Sequence, residues 1–303
     1  MSSLPPAPLE PGPLGELPGL LPAERSERVL RRQYVARALR RSPTFLIGAG
    51  ILLFWIVMAL FSVHLTKFGP YTIDPYHTLA GPGALHWFGT DENGRDVLSR
   101  TLAGVRTVLV IAPLAALLCL SLGGTIGLVS GYYKGTIDEI VMRLVDVLLA
   151  LPVIVAAIVV ISALGHSVAI MILVIGILFT PPVARTIRAA VVSEREKEYV
   201  QAARLRGERA PYIMAAEILP NILAPIIVEG TVRLGYAVFT AATLSFLGFG
   251  LSAPSPDWGL TISTDSQYIQ GSWWTVLFPA LALASLVVGA NLLADGVRKV
   301  LSE

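Results

Sequence analysis

The stretch Arg185–Pro220, RTIRAAVVSEREKEYVQAARLRGERAPYIMAAEILP, decides the fold, because it is a polar interval set between two apolar runs. It carries Arg185, Arg188, Arg195, Lys197, Arg204, Arg206 and Arg209. Tyr199 to Arg206 is rich in helix formers, and Gly207 stands where a left-handed cap residue is wanted, so a short helix should stop there. Pro211 then suits the first turn of a second helix. Two readings fit this pattern. One is a rigid pair of helices at a glycine corner that a cytosolic partner grips; the other is a positive loop that only fixes topology.

The rest of the chain makes the apolar runs membrane spans. With 303 residues, 54% hydrophobic, 15% charged and a mean hydropathy of +0.69, the protein is too apolar for a soluble domain and is expected to be all-α and polytopic. The net charge of +2 gives no reason to expect nucleic acid. Residues 1–23 are proline-rich and read as a disordered tail, and 24–43 as a basic cytoplasmic helix. A first span, Thr44 to Leu65, and an extracytoplasmic segment fill 44–106. The core, 107–303, should hold five more spans: Thr107 to Val129, then, after a loop at 130–143, one to about Ala163 kinked at Pro152. Val168 to Ala184 ends near Pro181-Pro182, and Ile222 to Thr243 and Trp274 to Leu293 complete the set. Gly123, Gly127 and Gly131 recur every fourth residue on the second span and predict close packing of a neighbouring helix. Leu244 to Trp273, rich in glycine and proline, is too irregular for one straight helix and suits a re-entrant segment.

Charge distribution orients this arrangement. Seven Lys and Arg lie in 24–41, two in 130–143, seven in the quoted stretch and two at the C-terminus. Against them, only Lys67, Arg95, Arg100 and Arg106 fall on the other side, which puts both termini and 185–220 in the cytoplasm.

Chemistry-bearing motifs are few. No Walker A sequence occurs, so the chain is not expected to hydrolyse ATP, and no serine-hydrolase or zinc-protease signature is present. The lone Cys119 in an apolar run reads as a small buried hydrophobe. His64, His77, His86 and His166 show no helical metal-ligand spacing, so neither a metal site nor a cofactor is expected. Glu229 and Arg233, four apart within a span, can pair on one helical face. Two roles are open to them: facing a translocation path, or holding helices together.

Gln201-Ala202-Ala203, Gly207 and Ile218-Leu219-Pro220 resemble the cytoplasmic loop motif of ABC importer permeases, with Gln201 where that family usually has Glu. His86 to Asp91, Gly94 to Arg100, Leu244 to Gly250, Pro256 to Gly259 and Asn291 to Gly296 resemble the C-type permeases of dipeptide and oligopeptide importers. The resemblance implies a type I permease fold with six transmembrane helices in the bacterial inner membrane. It further implies a homologous second permease, ATP-binding subunits and an extracytoplasmic solute-binding protein as partners. Coupling to ATP hydrolysis would then run through Tyr199, Gln201, Ala202, Ala203 and Gly207. The competing reading is an ion-coupled secondary transporter, which needs an ion site in broken helices.

Overall fold

The computed structural model describes residues 35–302; the tail 1–23 and residues 24–34 of the expected basic helix lie outside the described residues. Residues 35–41 are helical. Helix α1 (Pro43–Leu65) then begins with Pro43 at its first position and with Ser42 Oγ accepting from the Phe45 N–H. It is followed by α2 (Val97–Tyr133), α3 (Gly135–Leu149), α4 (Val153–Leu164), α5 (Val168–Glu194) and α6 (Glu198–Leu205). A helical segment over 210–221, here α7, has a π-helical middle at Ile213–Ile218. Helices α8 (Leu223–Phe246), α9 (Trp258–Asp265) and α10 (Trp274–Ser302) complete the chain. Among the described residues the only strand-like pairing is two isolated bridges, Ile73 with Arg95 and Thr90 with Asp96.

Helices α1, α2, α5, α8 and α10 are each long and apolar enough to cross a membrane, and α3 with α4 makes a sixth span if that bent pair counts as one. Three spans differ from their sequence reading. The second begins ten residues early, at Val97, because Asp96 accepts from the Ser99 N–H at 2.8 Å and starts the helix outside the apolar run. Residues 130–143 are not a loop: α2 runs to Tyr133, the chain turns at Lys134 and Gly135, both at positive φ, and α3 starts at once. The expected kink at Pro152 is an 87° bend between two helices. Helix α4 alone, with 12 residues, is about 18 Å long and falls short of the bilayer core.

Helix α5 does not end at Pro181-Pro182 but continues to Glu194. Two interior prolines cost backbone hydrogen bonds, and packing offsets that cost. Thr180, Pro181, Val183 and Ala184 are buried, and α5 presses along α2 in the most extensive helix pair of the molecule. The glycine stripe is the seam. A Cβ at Gly123 would lie 2.7 Å from Val183 Cβ, one at Gly127 2.6 Å from the Ala184 carbonyl oxygen, and one at Gly131 2.9 Å from Val191 Cβ. Small residues also set the α1–α10 crossing, where a Cβ at Gly48 would collide with the Leu293 nitrogen and the Gly289 carbonyl. Trp55 Nε1 donates to Ser285 Oγ at 2.9 Å across that pair.

At the end of the bundle away from 185–220, residues 66–96 and 247–273 interlock. Arg100 is buried, and its guanidinium donates to the carbonyls of Pro70, Pro254 and Ser255 at 3.3, 3.2 and 3.0 Å. Trp258 is buried and donates to the Thr101 carbonyl at 2.7 Å, against Gly104, where a Cβ would collide with the Pro256 carbonyl and the indole. The interval 244–273 is thus a short helix, α9, clamped by α2, α8 and α10.

Candidate functional site

The polar stretch folds into one anchored corner. Helix α6 closes with a Schellman arrangement: Gly207 N–H donates to the Arg204 carbonyl at 3.0 Å and Glu208 N–H to the Ala203 carbonyl at 3.2 Å. Gly207 sits at φ +79°, where only glycine is free of strain, and a Cβ there would meet nothing within 4 Å. The glycine is therefore needed for its backbone angle, not for space.

Charged side chains tie this corner to the bundle. Arg188 on α5 grips Asp138 on α3 with two hydrogen bonds of 2.5 Å, and Arg185 pairs with Asp146. Arg195 donates to the Tyr132 carbonyl at the end of α2, Lys134 Nζ reaches Glu196 at 2.8 Å, and Arg204 lies over the Tyr132 ring at 5.0 Å. Lys134 also holds the Glu196 carboxyl below its ordinary range. Five of the seven basic residues of the stretch thus face a carboxylate or carbonyl elsewhere in the loop or on α2 and α3: Arg185, Arg188, Arg195, Lys197 and Arg206. These contacts tie the loop to the ends of α2 and α3.

The residues singled out in the sequence fall into different roles. Gln201 and Ala202 are exposed, whereas Ala203, with Val200, is fully buried beneath α6. Gln201 Nε2 donates to the Glu196 carbonyl at 3.0 Å. An ionised glutamate there could only accept, so the amide closes a bond that the acid would lose. Tyr199 is half-buried and acts as a staple: its hydroxyl donates to Glu194 Oε1 at 2.6 Å and accepts from Asn221 Nδ2 at 3.1 Å, joining the end of α5 to the end of α7. Burial, and the bond to Glu194, push that phenol's pKa up. Sequence reasoning missed Leu205, which is 90% exposed at the tip of α6. Its signal was present: Leu205 lies three and four residues after Ala202 and Gln201, so the three share one face.

Glu229 and Arg233 meet as spacing predicts, with Arg233 Nε 2.7 Å from Glu229 Oε1, and both are largely buried. The guanidinium also lies 5.3 Å from the Tyr236 ring and 5.9 Å from that of Phe179 on α5. Within this one chain the pair is neutralised and packed between helices. Elsewhere, the fold brings Asp74, His77 and His86 together, with one ligand atom of each within 4.8 Å of the others. No helical spacing could reveal this, because the three sit on irregular backbone.

Comparison with known proteins gives a consistent picture. Residues 123–303 match the family described as binding-protein-dependent transport system inner membrane component, and residues 31–82 match the N-terminal TM domain of oligopeptide transport permease C. The chain is 39% identical over 265 residues to a dipeptide transport system permease protein of Alkalihalophilus pseudofirmus, covering 88% of this chain and 87% of that one. It is 35% identical to a probable D,D-dipeptide transport system permease protein of Escherichia coli, over 87% of this chain and 88% of the relative. A di/tripeptide transport system permease protein of Pseudomonas aeruginosa is also 35% identical, over 84% and 86%.

Proposed function

Because the chain belongs to the family of binding-protein-dependent transport system inner membrane components, with its type I ABC permease fold, we propose that it is the C-type permease of an ATP-driven importer of di- or oligopeptides. In this reading a homologous permease completes the solute path, an extracytoplasmic binding protein delivers the solute, and separate subunits hydrolyse ATP. The basic end carrying α6 and both termini faces the cytoplasm, in line with the charge distribution. One observation carries the proposal: α6 is an exposed, glycine-cornered helix with Gln201, Ala202 and Leu205 outward, tied to the end of α2 by Arg204 over the Tyr132 ring and by the Arg195 and Glu196 contacts just before it. A braced helix passes a push to the spans it is tied to, whereas a loose loop would absorb it.

Closure of the ATP-binding subunits then moves α6, α5 follows through the Tyr199–Glu194 bond, and the end of α2 follows through Arg195, Lys134 and Arg204. For the cycle to run, nucleotide and loaded binding protein must favour different openings of the bundle.

The test uses Leu205→Cys in native membranes. Cys119, the only native cysteine, is buried, so the wild type serves as the unreactive control. A short bifunctional reagent should join the Leu205→Cys variant to an ATP-binding subunit in a nucleotide-dependent way. A chain that purifies alone and takes up solute on an ion gradient without ATP would overturn the reading in favour of a secondary transporter.

A further inference from the structure

At the end of the bundle opposite α6, side chains from two stretches of irregular backbone converge on one point. His77 Nδ1 lies 2.7 Å from Asp74 Oδ2, and His86 Nε2 lies 3.9 Å from the same oxygen. His86 is 4% exposed. Its Nδ1 is 2.9 Å from Asp96 Oδ1, and its Nε2 is buried with no hydrogen-bond partner among the described residues. The Asp96 carboxylate also accepts from the Ser99 N–H, so it can only receive the imidazole proton. The bond to Asp96 orients the ring so that Nε2 faces Asp74.

A buried imidazole oriented by a carboxylate, with its other nitrogen unpartnered and facing a second carboxylate and a second histidine, is the arrangement that orients metal ligands. The surrounding backbone is fixed as well. Asp74 N–H donates to the Gly94 carbonyl at 3.0 Å, Asp74 Oδ1 accepts from the Tyr76 N–H at 3.0 Å, and the His77 carbonyl accepts from the Thr90 hydroxyl. Phe68 stacks on the His86 ring at 4.5 Å.

We propose that Asp74, His77 and His86 form a binding site for a divalent transition metal of the zinc class, with Asp96 as the residue that positions His86. Two imidazoles and one carboxylate suit zinc and its neighbours better than magnesium or calcium, which take oxygen ligands. Tetrahedral bonds of 2.0–2.1 Å set ligand atoms roughly 3.3 Å apart. The observed 2.7 and 3.9 Å to Asp74 Oδ2 straddle that spacing, and all three ligand atoms lie within 4.8 Å of one another, so side-chain adjustment assembles the site. His77 is about half exposed, which leaves an access path and a fourth position for water. The bound ion would cross-link the turn at 74–77 to the buried segment at 86–96.

The measurement is a titration of the full-length chain, purified in detergent without a polyhistidine tag, with Zn2+ against a chromophoric competitor and with Co2+ read by its visible absorption. The wild type should bind one equivalent, and Co2+ should give the intense bands of a four-coordinate ion. Asp74→Asn/His77→Ala, at partly exposed positions, should fold normally and bind at least tenfold more weakly. That variant retains His64 and His166, so it also subtracts any background from them. Equal binding by the two proteins, or no binding by the wild type, would overturn the proposal.

Discussion

Replacing Gly207 probes the corner at the tip of α6, and the structure sets the size of the effect. A Cβ at this position meets nothing within 4 Å, so no substitution acts through a clash. What changes is the cost of φ +79°, which for an ordinary residue is about 1–2 kcal/mol. Alanine should therefore lower the equilibrium constant for the closed corner by about 5- to 30-fold. Asparagine, which tolerates the left-handed region, should stay near glycine, and valine, stiff at its branched Cβ, should be worst. Arg206 and Arg209 flank the corner, so tryptic cleavage there reports its opening and should rise by the same factor when reclosing is fast. In proteoliposomes holding the whole importer, solute moved per ATP hydrolysed should fall in the order Gly, Asn, Ala, Val. Two results would refute the reasoning: full coupling and unchanged cleavage in Gly207→Val, or asparagine failing as badly as valine.

Tyr199→Phe removes a hydroxyl bonded to both Glu194 and Asn221 and should cost about 1.5 kcal/mol, read as a lower midpoint of thermal unfolding and faster proteolysis between α5 and α7. Glu229→Gln or Arg233→Gln alone leaves a buried charge unmatched and should destabilise by roughly 3 kcal/mol, while the double variant should recover much of that loss; additive losses would deny the pairing. Unchanged solute preference in the double variant would assign the pair to helix packing, not to the solute path. Asp265 is buried beside Asp91, and burial first, then that neighbouring charge, raise its pKa to about 7. Since the folded chain holds this proton more tightly than the unfolded one, stability should be greatest on the acid side and fall as pH rises through 7; Asp265→Asn should flatten that slope and raise the unfolding midpoint above neutrality.

The membrane spans and the corner were legible because each rests on local chemistry. Apolar runs longer than the bilayer core announce α1 and α10, Gly123, Gly127 and Gly131 announce the α2–α5 seam, and Gly207 announces the end of α6. What escaped depends on contacts between distant residues. Pro181-Pro182 marks a helix end by propensity, yet burial against α2 carries α5 through it. The 130–143 interval looks like a loop by charge, but Asp138 and Asp146 face Arg188 and Arg185, so α3 forms with its polar side on α5. Within the corner, Ala203 and Gln201 look alike in a motif but point in opposite directions. The Asp74, His77 and His86 cluster had no sequence period at all, since Thr90 and Gly94 set its geometry.

The single guanidinium of Arg100 has a consequence for how the protein is made. Two of its three carbonyl partners, at Pro254 and Ser255, are synthesised about 155 residues later. At 5–20 residues per second that is a wait of roughly 8 to 30 s, during which the guanidinium has only the Pro70 carbonyl and the Asp91 carboxylate, 3.4 Å from its Nε, as partners. A nascent chain cut short before Pro254 therefore carries this arginine without two of its carbonyl partners. The same residue that locks the mature platform thus differs between a finished and an unfinished copy in how many carbonyls it bonds.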